Sequence, residues 1–332
     1  MSRFSAVKKT WAMCRRLTQQ RGGSRVVYFA DALYCSAKHG ASPENYFVLR
    51  FYDLDDRQRR DFLTSGRSKA ADAVLNQNAA AEDKRIIGRK EVFNRVFAEM
   101  VRRDFLYCPE SSREEFELFI KKHPEFIAKP PSGTMGQGIV KMRAKGDCME
   151  LYDSCRERGL LLEEIIQQHP ELNRINPACV NTVRVNAARD RDGRVRLIGA
   201  CLKCGGPGAV TDNFHSGGVA YPLDLETGRV TGSGRNNRDA EDFSYHPGTN
   251  FYMPGFHLPF WSEVRDCVFK AMDKVPSLGY VGWDIAIGPG GPELVEGNYS
   301  WPGGNIIQFD NVGKYPLILE CLDGGHGQHT VG

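Results

Sequence analysis

The spacing of apolar positions changes near residue 123, and the change divides the chain into a helical part and a strand-rich part. In "GRKEVFNRVFAEMVRRDF", residues 88–105, Val92, Phe93, Val96, Phe97, Met100 and Val101 recur at helical intervals. This predicts an amphipathic helix beginning near Lys90. "SSREEFELFIKKHP" predicts another, with Ser112 and Glu115 as a capping box and Phe116, Phe119 and Ile120 as its inner face. Upstream, residues 1 to about 85 are rich in Arg, Lys, Ala and Gln and show no alternating runs, so a mostly helical segment is expected. Downstream, "EFIAKP" and "GIVKM" read as strands around a glycine loop, and "LLLEEII" at 160–166 as a third strand. Three hairpins follow, turning at Asp192 and Gly193, near Thr227 and Gly228, and at Gly290 and Gly291. The helix "PFWSEVRDCVFKAMDKV" lies between the last two.

Composition sharpens this picture. A chain of 332 residues with 41% apolar content exceeds the size at which single cores stop growing, so more than one domain is expected. The net charge of +3 is too small for a nucleic-acid or anionic-membrane partner by bulk attraction. Lys8, Lys9, Arg15, Arg16 and Arg21 read as the solvated face of a helix. Ten scattered cysteines lack the spacing of a disulfide scaffold and read as free thiols in a reducing cytoplasm. Cys201 and Cys204 form a lone Cys-x-x-C without a second ligand pair, which reads as structural thiols. Neither a signal peptide nor a membrane span is predicted, which gives a soluble cytoplasmic protein.

Two stretches carry chemistry. "FIAKPPSGTMGQGIVKM" runs from its glycines into β-branched Ile139 and Val140, whereas a Walker loop or a dinucleotide fingerprint opens a helix. The loop therefore reads as a flap between antiparallel strands, with backbone N–H groups available to phosphate oxygens and Lys129 on the strand entering it. In "GWDIAIGPGGPELVEGN", Glu296 and Asn298 share one face of a strand and the hairpin brings Asp284 opposite them. Three hard oxygen donors suit Mg²⁺.

With "KPPSGTMGQGI", "LLEEIIQQHPELNRINPACVNTVRV", "TDNFHSGGVAYPLDLETG" and "GWDIAIGPGGPELVEGNYSWPGGN" in this order, the chain resembles the ATP-grasp superfamily, in particular its sugar-transfer-associated branch, from about Lys90 to Gln308. The resemblance implies an α+β ATP-grasp fold with two α+β subdomains gripping ATP. Its expected divisions are a helical segment 1–88, a middle subdomain with the flap 89–168, and a C-terminal subdomain with the metal site 169–332. It implies Lys90 and Lys129 on the nucleotide phosphates and a flap of Ser132, Gly133, Thr134, Gly136, Gln137 and Gly138 over the β and γ positions. Glu163, Glu164, Ile165 and Ile166 would meet the adenine, with Glu171 a ribose contact. Asp284, Glu296 and Asn298 would hold two Mg²⁺, for which Mn²⁺ can substitute.

Many ATP-grasp ligases carry an Arg two positions before the first metal Asp, where this chain has Gly282; Arg184 in "NTVRV" is the substitute expected to reach the transferring phosphoryl group. Lys203 falls in a region resembling a substrate-side wall. The implied reaction is ATP-dependent carboxylate–amine ligation through an acyl phosphate. Its carboxylate and amine would be small molecules, glycans or peptides, with no nucleic acid involved. A kinase acting on a hydroxyl or sugar, or a non-catalytic nucleotide-binding protein, are the alternatives. Simpler readings stand beside these roles: Lys129 as a solvated strand end, Glu163 and Glu164 on an exposed edge, and Arg184 as the polar face of an alternating strand.

Overall fold

A computed structural model describes residues 3–131, 133, 138–144, 148–209, 211–237, 241–300 and 302–323. The strands are β1 (Phe105–Tyr107), β2 (Glu125–Lys129), β3 (Val140–Arg143), β4 (Leu161–Glu164), β5 (Thr182–Arg189), β6 (Val195–Cys204), β7 (Val219–Leu223), β8 (Tyr280–Gly288) and β9 (Gly291–Asn298). They form two antiparallel sheets, of order β1-β4-β2-β3 and β7-β6-β5-β8-β9.

Period-two alternation gives each sheet two unlike faces. On the four-stranded sheet, Phe126, Ala128 and Leu162 pack against Phe116, Phe119, Tyr152 and Cys155 of the helices Arg113–Lys122 and Cys148–Glu157. The capping box of Ser112 and Glu115 starts the first of these helices as its sequence predicts. The intervening positions, Lys129, Leu161 and Glu163, lie on the other face.

On the five-stranded sheet, Val183, Val185, Leu202, Trp283 and Ile285 bury against the helix Trp261–Lys274 and the segment around Phe93 and Phe97. The opposite face is divided. Ala188, Ile198, Cys201, Ala220 and Tyr280 share a core with Leu17, Tyr46, Phe51 and Leu63 of the N-terminal helices and with Ile306, Ile307 and Phe309. Thr182, Arg184, Lys203 and Asp284 occupy the rest of that face.

Two elements differ from their predicted form. The helix expected over 88–105 is broken into Lys90–Val96 and Ala98–Val101, and Arg102 ends it in the left-handed region at φ 60°. That turn sends Arg103 back beneath the four-stranded sheet, where its guanidinium reaches Glu163. The hairpin near Gly228 has only isolated bridges on its second arm. Gly234 there lies so close to Val219 and Tyr221 that a Cβ would meet their side chains at 2.6–2.7 Å.

Candidate functional site

Lys129 and Glu163 are diagonal neighbours on the β2–β4 ladder, where Ile127 faces Glu163 and Lys129 faces Leu161. Lys129 Nζ lies 2.5 Å from Glu163 Oε2. The buried Glu163 carboxylate also accepts from Arg103 Nε at 3.0 Å and from Asn94 Nδ2 at 2.8 Å. Burial opposes its charge, yet Lys129 and Arg103 outweigh that cost and hold the carboxyl well below the usual carboxylate range.

The adjacent Glu164 turns to the other face and accepts from the Asp104 N–H at 3.1 Å. Ile165 and Ile166 are half-buried in the connection after β4, which is tied to β8 by the His169 N–H donating to the Ile287 carbonyl at 2.7 Å. Glu171 stands apart with its carboxylate on Arg174 at 2.7 Å.

Lys90 begins its helix beside the flap. Its Nζ donates to the Gly133 carbonyl at 3.2 Å, and its N–H donates to the Pro131 carbonyl. Burial lowers its pKa, Glu296 opposes that shift, and Lys129 adds to it, the net direction being down. Lys90 thus stands within electrostatic reach of both sheets. Gly138 closes the flap into β3 at φ 75°, a left-handed conformation that favours glycine. Of the flap residues expected to close over phosphate, Ser132, Thr134, Gly136 and Gln137 lie outside the described residues.

On the five-stranded sheet, Asp284 faces Arg184 on β5 and Glu296 on β9. Arg184 grips it in a two-pronged contact, Nε to Oδ1 and Nη2 to Oδ2, each at 2.7 Å. Its remaining Nη1 donates to the Pro302 carbonyl at 2.9 Å. Lys203 Nζ lies 3.1 Å from Asp284 Oδ1 and 3.8 Å from Asp212 Oδ2, while Asp212 accepts from the Thr182 N–H and hydroxyl. Burial would raise the Asp284 pKa, but Arg184 and Lys203 drive it far down. Glu296 moves the opposite way, raised by lost hydration and then by the Asp284 carboxylate. Asn298 Nδ2 donates to Glu296 Oε1 at 3.3 Å.

This donor set fits a hard divalent cation. Asp284 and Glu296 are close enough for their carboxyls to hydrogen-bond, and Asn298 adds an amide oxygen. A cation between the carboxylates would offset the repulsion that raises the Glu296 pKa.

Gly282 is explained by packing. A Cβ there would stand 2.3 Å from the Pro302 carbonyl oxygen, so no arginine fits. Arg184 supplies the charge from the neighbouring strand, and each of its three nitrogens is anchored, three of its five N–H groups being engaged by Asp284 and Pro302. Lys203 keeps donors in reserve, since an ammonium has three and, among the described residues, its ion pairs are to Asp284 at 3.1 Å and Asp212 at 3.8 Å. Sequence reasoning missed Asn94, Arg103, Thr182 and Asp212. Asn94 and Arg103 bond Glu163, Asp212 pairs with Lys203 at 3.8 Å, and Thr182 holds Asp212; all are polar and at least partly buried, and no local pattern in the sequence marked them.

Two sheets with charged faces, a lysine between them and a glycine flap at one edge define an ATP-grasp fold. More narrowly, residues 150–314 match the family model described as sugar-transfer associated ATP-grasp. Among solved structures, the N5-carboxyaminoimidazole synthetase from Staphylococcus aureus complexed with ADP is similar at 10% identity, covering 74% of this chain and 54% of its own, with TM-score 0.47. The ATP-grasp ligase PsnB complexed with minimal precursor, Mg and ADP is similar at 16% identity, 79% and 69% coverage and TM-score 0.46. An L-amino acid ligase from Bacillus licheniformis is similar at 12% identity, 72% and 48% coverage and TM-score 0.45. The chain spans about half the length of several of these structures. No curated protein matches it in sequence. No helix among the described residues is long and apolar enough to cross a membrane.

The Glu163 cluster gives a pH prediction. Because the folded pKa lies below the unfolded one, its stabilisation is complete above about pH 5 and is lost as the pH falls below about 4. Glu163→Gln should therefore cost roughly 3–5 kcal/mol at neutral pH. Denaturant titrations should show the gap to wild type shrinking in acid; a gap independent of pH would count against the charged pairing.

Proposed function

We propose that the protein is an ATP-dependent, ADP-forming carboxylate–amine ligase. The observation that carries this reading is the buried Arg184–Asp284–Lys203 cluster, adjoined by Glu296, which acts electrostatically on Lys90, itself beside Lys129. A carboxylate resists attack by an amine, so it must first be activated. An oxygen of the substrate carboxylate attacks the γ-phosphorus, the bond to the ADP oxygen breaks, and an acyl phosphate forms. The amine then attacks the acyl carbon, loses a proton, and inorganic phosphate leaves.

Each residue has a task in this scheme. Lys90 and Lys129 would hold the nucleotide phosphates, Lys129 exchanging the Glu163 carboxylate for phosphate oxygen while Arg103 and Asn94 keep Glu163 paired. Backbone groups of the flap would close over the β and γ positions, and the connection at Glu163–Ile166 would border the adenine. Asp284, Glu296 and Asn298 would hold Mg²⁺, which when bound neutralises charge on the transferring phosphoryl group. Arg184 positions Asp284, and Lys203 offers donors to the developing oxyanion. Positioning supplies much of the remaining acceleration.

The test is ADP release by the full chain with pools of carboxylates and amines, followed by mass spectrometry of the product. An amide accompanied by stoichiometric ADP is expected. Turnover without coupled product would sink the ligase reading. Lys129→Ala should weaken a non-hydrolysable ATP analogue by about tenfold or more in calorimetry, as expected for loss of a charge-assisted contact. Unchanged affinity would remove Lys129 from the phosphate site.

A further inference from the structure

The first two helices, Arg3–Arg21 and Arg25–His39, form an antiparallel hairpin on the outside of the large-sheet unit. Their inner faces bury Cys14, Leu17, Ala32 and Cys35. Along the outer face, Lys8, Trp11 and Arg15 repeat at i, i+3 and i+7, and Val26, Phe29 and Leu33 repeat at the same spacing on the second helix. The two rows meet where Trp11 packs edge-on against Phe29 at 5.2 Å and Arg25 lies over the Trp11 ring at 3.9 Å. Trp11 is 37% exposed, Val26 and Val27 are each 64% exposed, and Leu33 is 51% exposed. One helix thus presents cations beside the apolar strip of the other.

The charge is concentrated here. Positions 3 to 30 hold seven Lys and Arg residues and no Asp or Glu, so against a chain total of +3 the remaining residues sum to −4, which is +3 minus +7. Of the acids beside the hairpin, Asp31 pairs with Arg59, Asp53 with Arg21 and Asp56 with Lys38, and Glu241 accepts from Gln20 at the end of the first helix.

We infer that this hairpin docks the enzyme on an anionic lipid bilayer, its apolar strip entering the headgroup boundary and its cations meeting acidic lipids. The charge decides among possible occupants. A second copy would bring two such basic faces together, and that repulsion disfavours self-association. Nucleic acid would satisfy the cations but leave Val26, Val27 and Leu33 in water. A bilayer with acidic headgroups satisfies both chemistries at once. The modest net charge of the whole chain conceals this local asymmetry.

The full chain is mixed with sedimenting vesicles of phosphatidylcholine alone, or with roughly a third phosphatidylglycerol. Strong partition to the anionic vesicles is expected, weakening as salt rises, with little binding to the neutral ones. Lys8→Gln with Arg15→Gln should lower the partition coefficient about twenty-fold, near fivefold per charge. Val26→Ser with Leu33→Ser should lower it about tenfold or more. All four side chains are exposed, so the melting temperatures of both double variants should match wild type. Equal partition to both vesicle types, no partition, or indifference to either double variant would overturn the inference. It would also be overturned by binding to duplex DNA in place of vesicles, or by a dimer that Val26→Ser with Leu33→Ser dissociates.

Discussion

Glu296→Gln and Asp284→Asn will each reduce ADP release by about a hundredfold or more, but only Asp284→Asn will also destabilise the fold. The two carboxyls are cross-strand partners with opposite environments. Asp284 is buried and pairs with Arg184 and Lys203, so its neutral amide leaves the buried Arg184 without its counterion and Lys203 with only the more distant Asp212. Breaking such a pair costs roughly 3–5 kcal/mol. Glu296 keeps a solvent-exposed side chain, but the protein packed around its carboxyl and then the Asp284 carboxylate already disfavour its charge. Its amide removes a repulsion along with the ligand, so stability should stay within about 0.5 kcal/mol of wild type. Thermal melts and a coupled ADP assay on both variants check this. A fully active Glu296→Gln would remove the metal assignment; an Asp284→Asn that melts like wild type would remove the structural role of the pair.

The difference between these carboxyls also shows what the sequence made legible. Within a hairpin, register follows from the turn, so "GWDIAIGPGGPELVEGN" made the approach of Asp284 to the Glu296 strand readable, but the turn alone would set Asp284 against Val295, and a bulge between Asp284 and Ile285 shifts the ladder to bring Glu296 opposite. The flanking apolar runs likewise indicated that one of Glu163 and Glu164 is drawn inward, and Glu163 is buried. Contacts between distant strands were not readable. Arg184 and Asp284 are 100 residues apart, and nothing local fixes the register of β5 against β8. Arg184 was expected at the phosphoryl group, and its two-pronged contact with Asp284 was not foreseen. Arg103 was hidden for a related reason: its approach to Glu163 depends on the left-handed turn at Arg102, inside a stretch whose apolar spacing predicts uninterrupted helix. The helical character of the N-terminal segment was legible from composition, but its burial against Ala188, Ile198 and Tyr280 depends on tertiary packing.

With a productive acid, ATP and Mg²⁺, hydroxylamine should capture the acyl phosphate as a hydroxamate, and Lys203→Met should suppress that capture by about a hundredfold while changing ATP-analogue affinity only a few-fold. The argument rests on which buried cation has donors to give. Arg184 is anchored at all three nitrogens, Nε and Nη2 on Asp284 and Nη1 on Pro302, which fixes its plane against the aspartate it orients although two of its five N–H groups remain. Lys203 is held by one contact to Asp284 at 3.1 Å and stands 3.8 Å from Asp212, leaving N–H groups for an oxygen that gains charge during transfer. Burial disfavours its ammonium, but Asp212 and Asp284 outweigh that cost and raise its pKa, so the charge is in place before substrate arrives. Methionine keeps much of the volume without the charge. Arg184→Lys provides the comparison: losing the two-pronged grip should loosen Asp284 and weaken Mg²⁺-dependent nucleotide binding along with capture. If Lys203→Met captures hydroxamate at the wild-type rate, Lys203 has no part in phosphoryl transfer. If the product is a phosphate ester that hydroxylamine leaves untouched, the enzyme is a kinase, and the same cation would instead stabilise transfer to a hydroxyl.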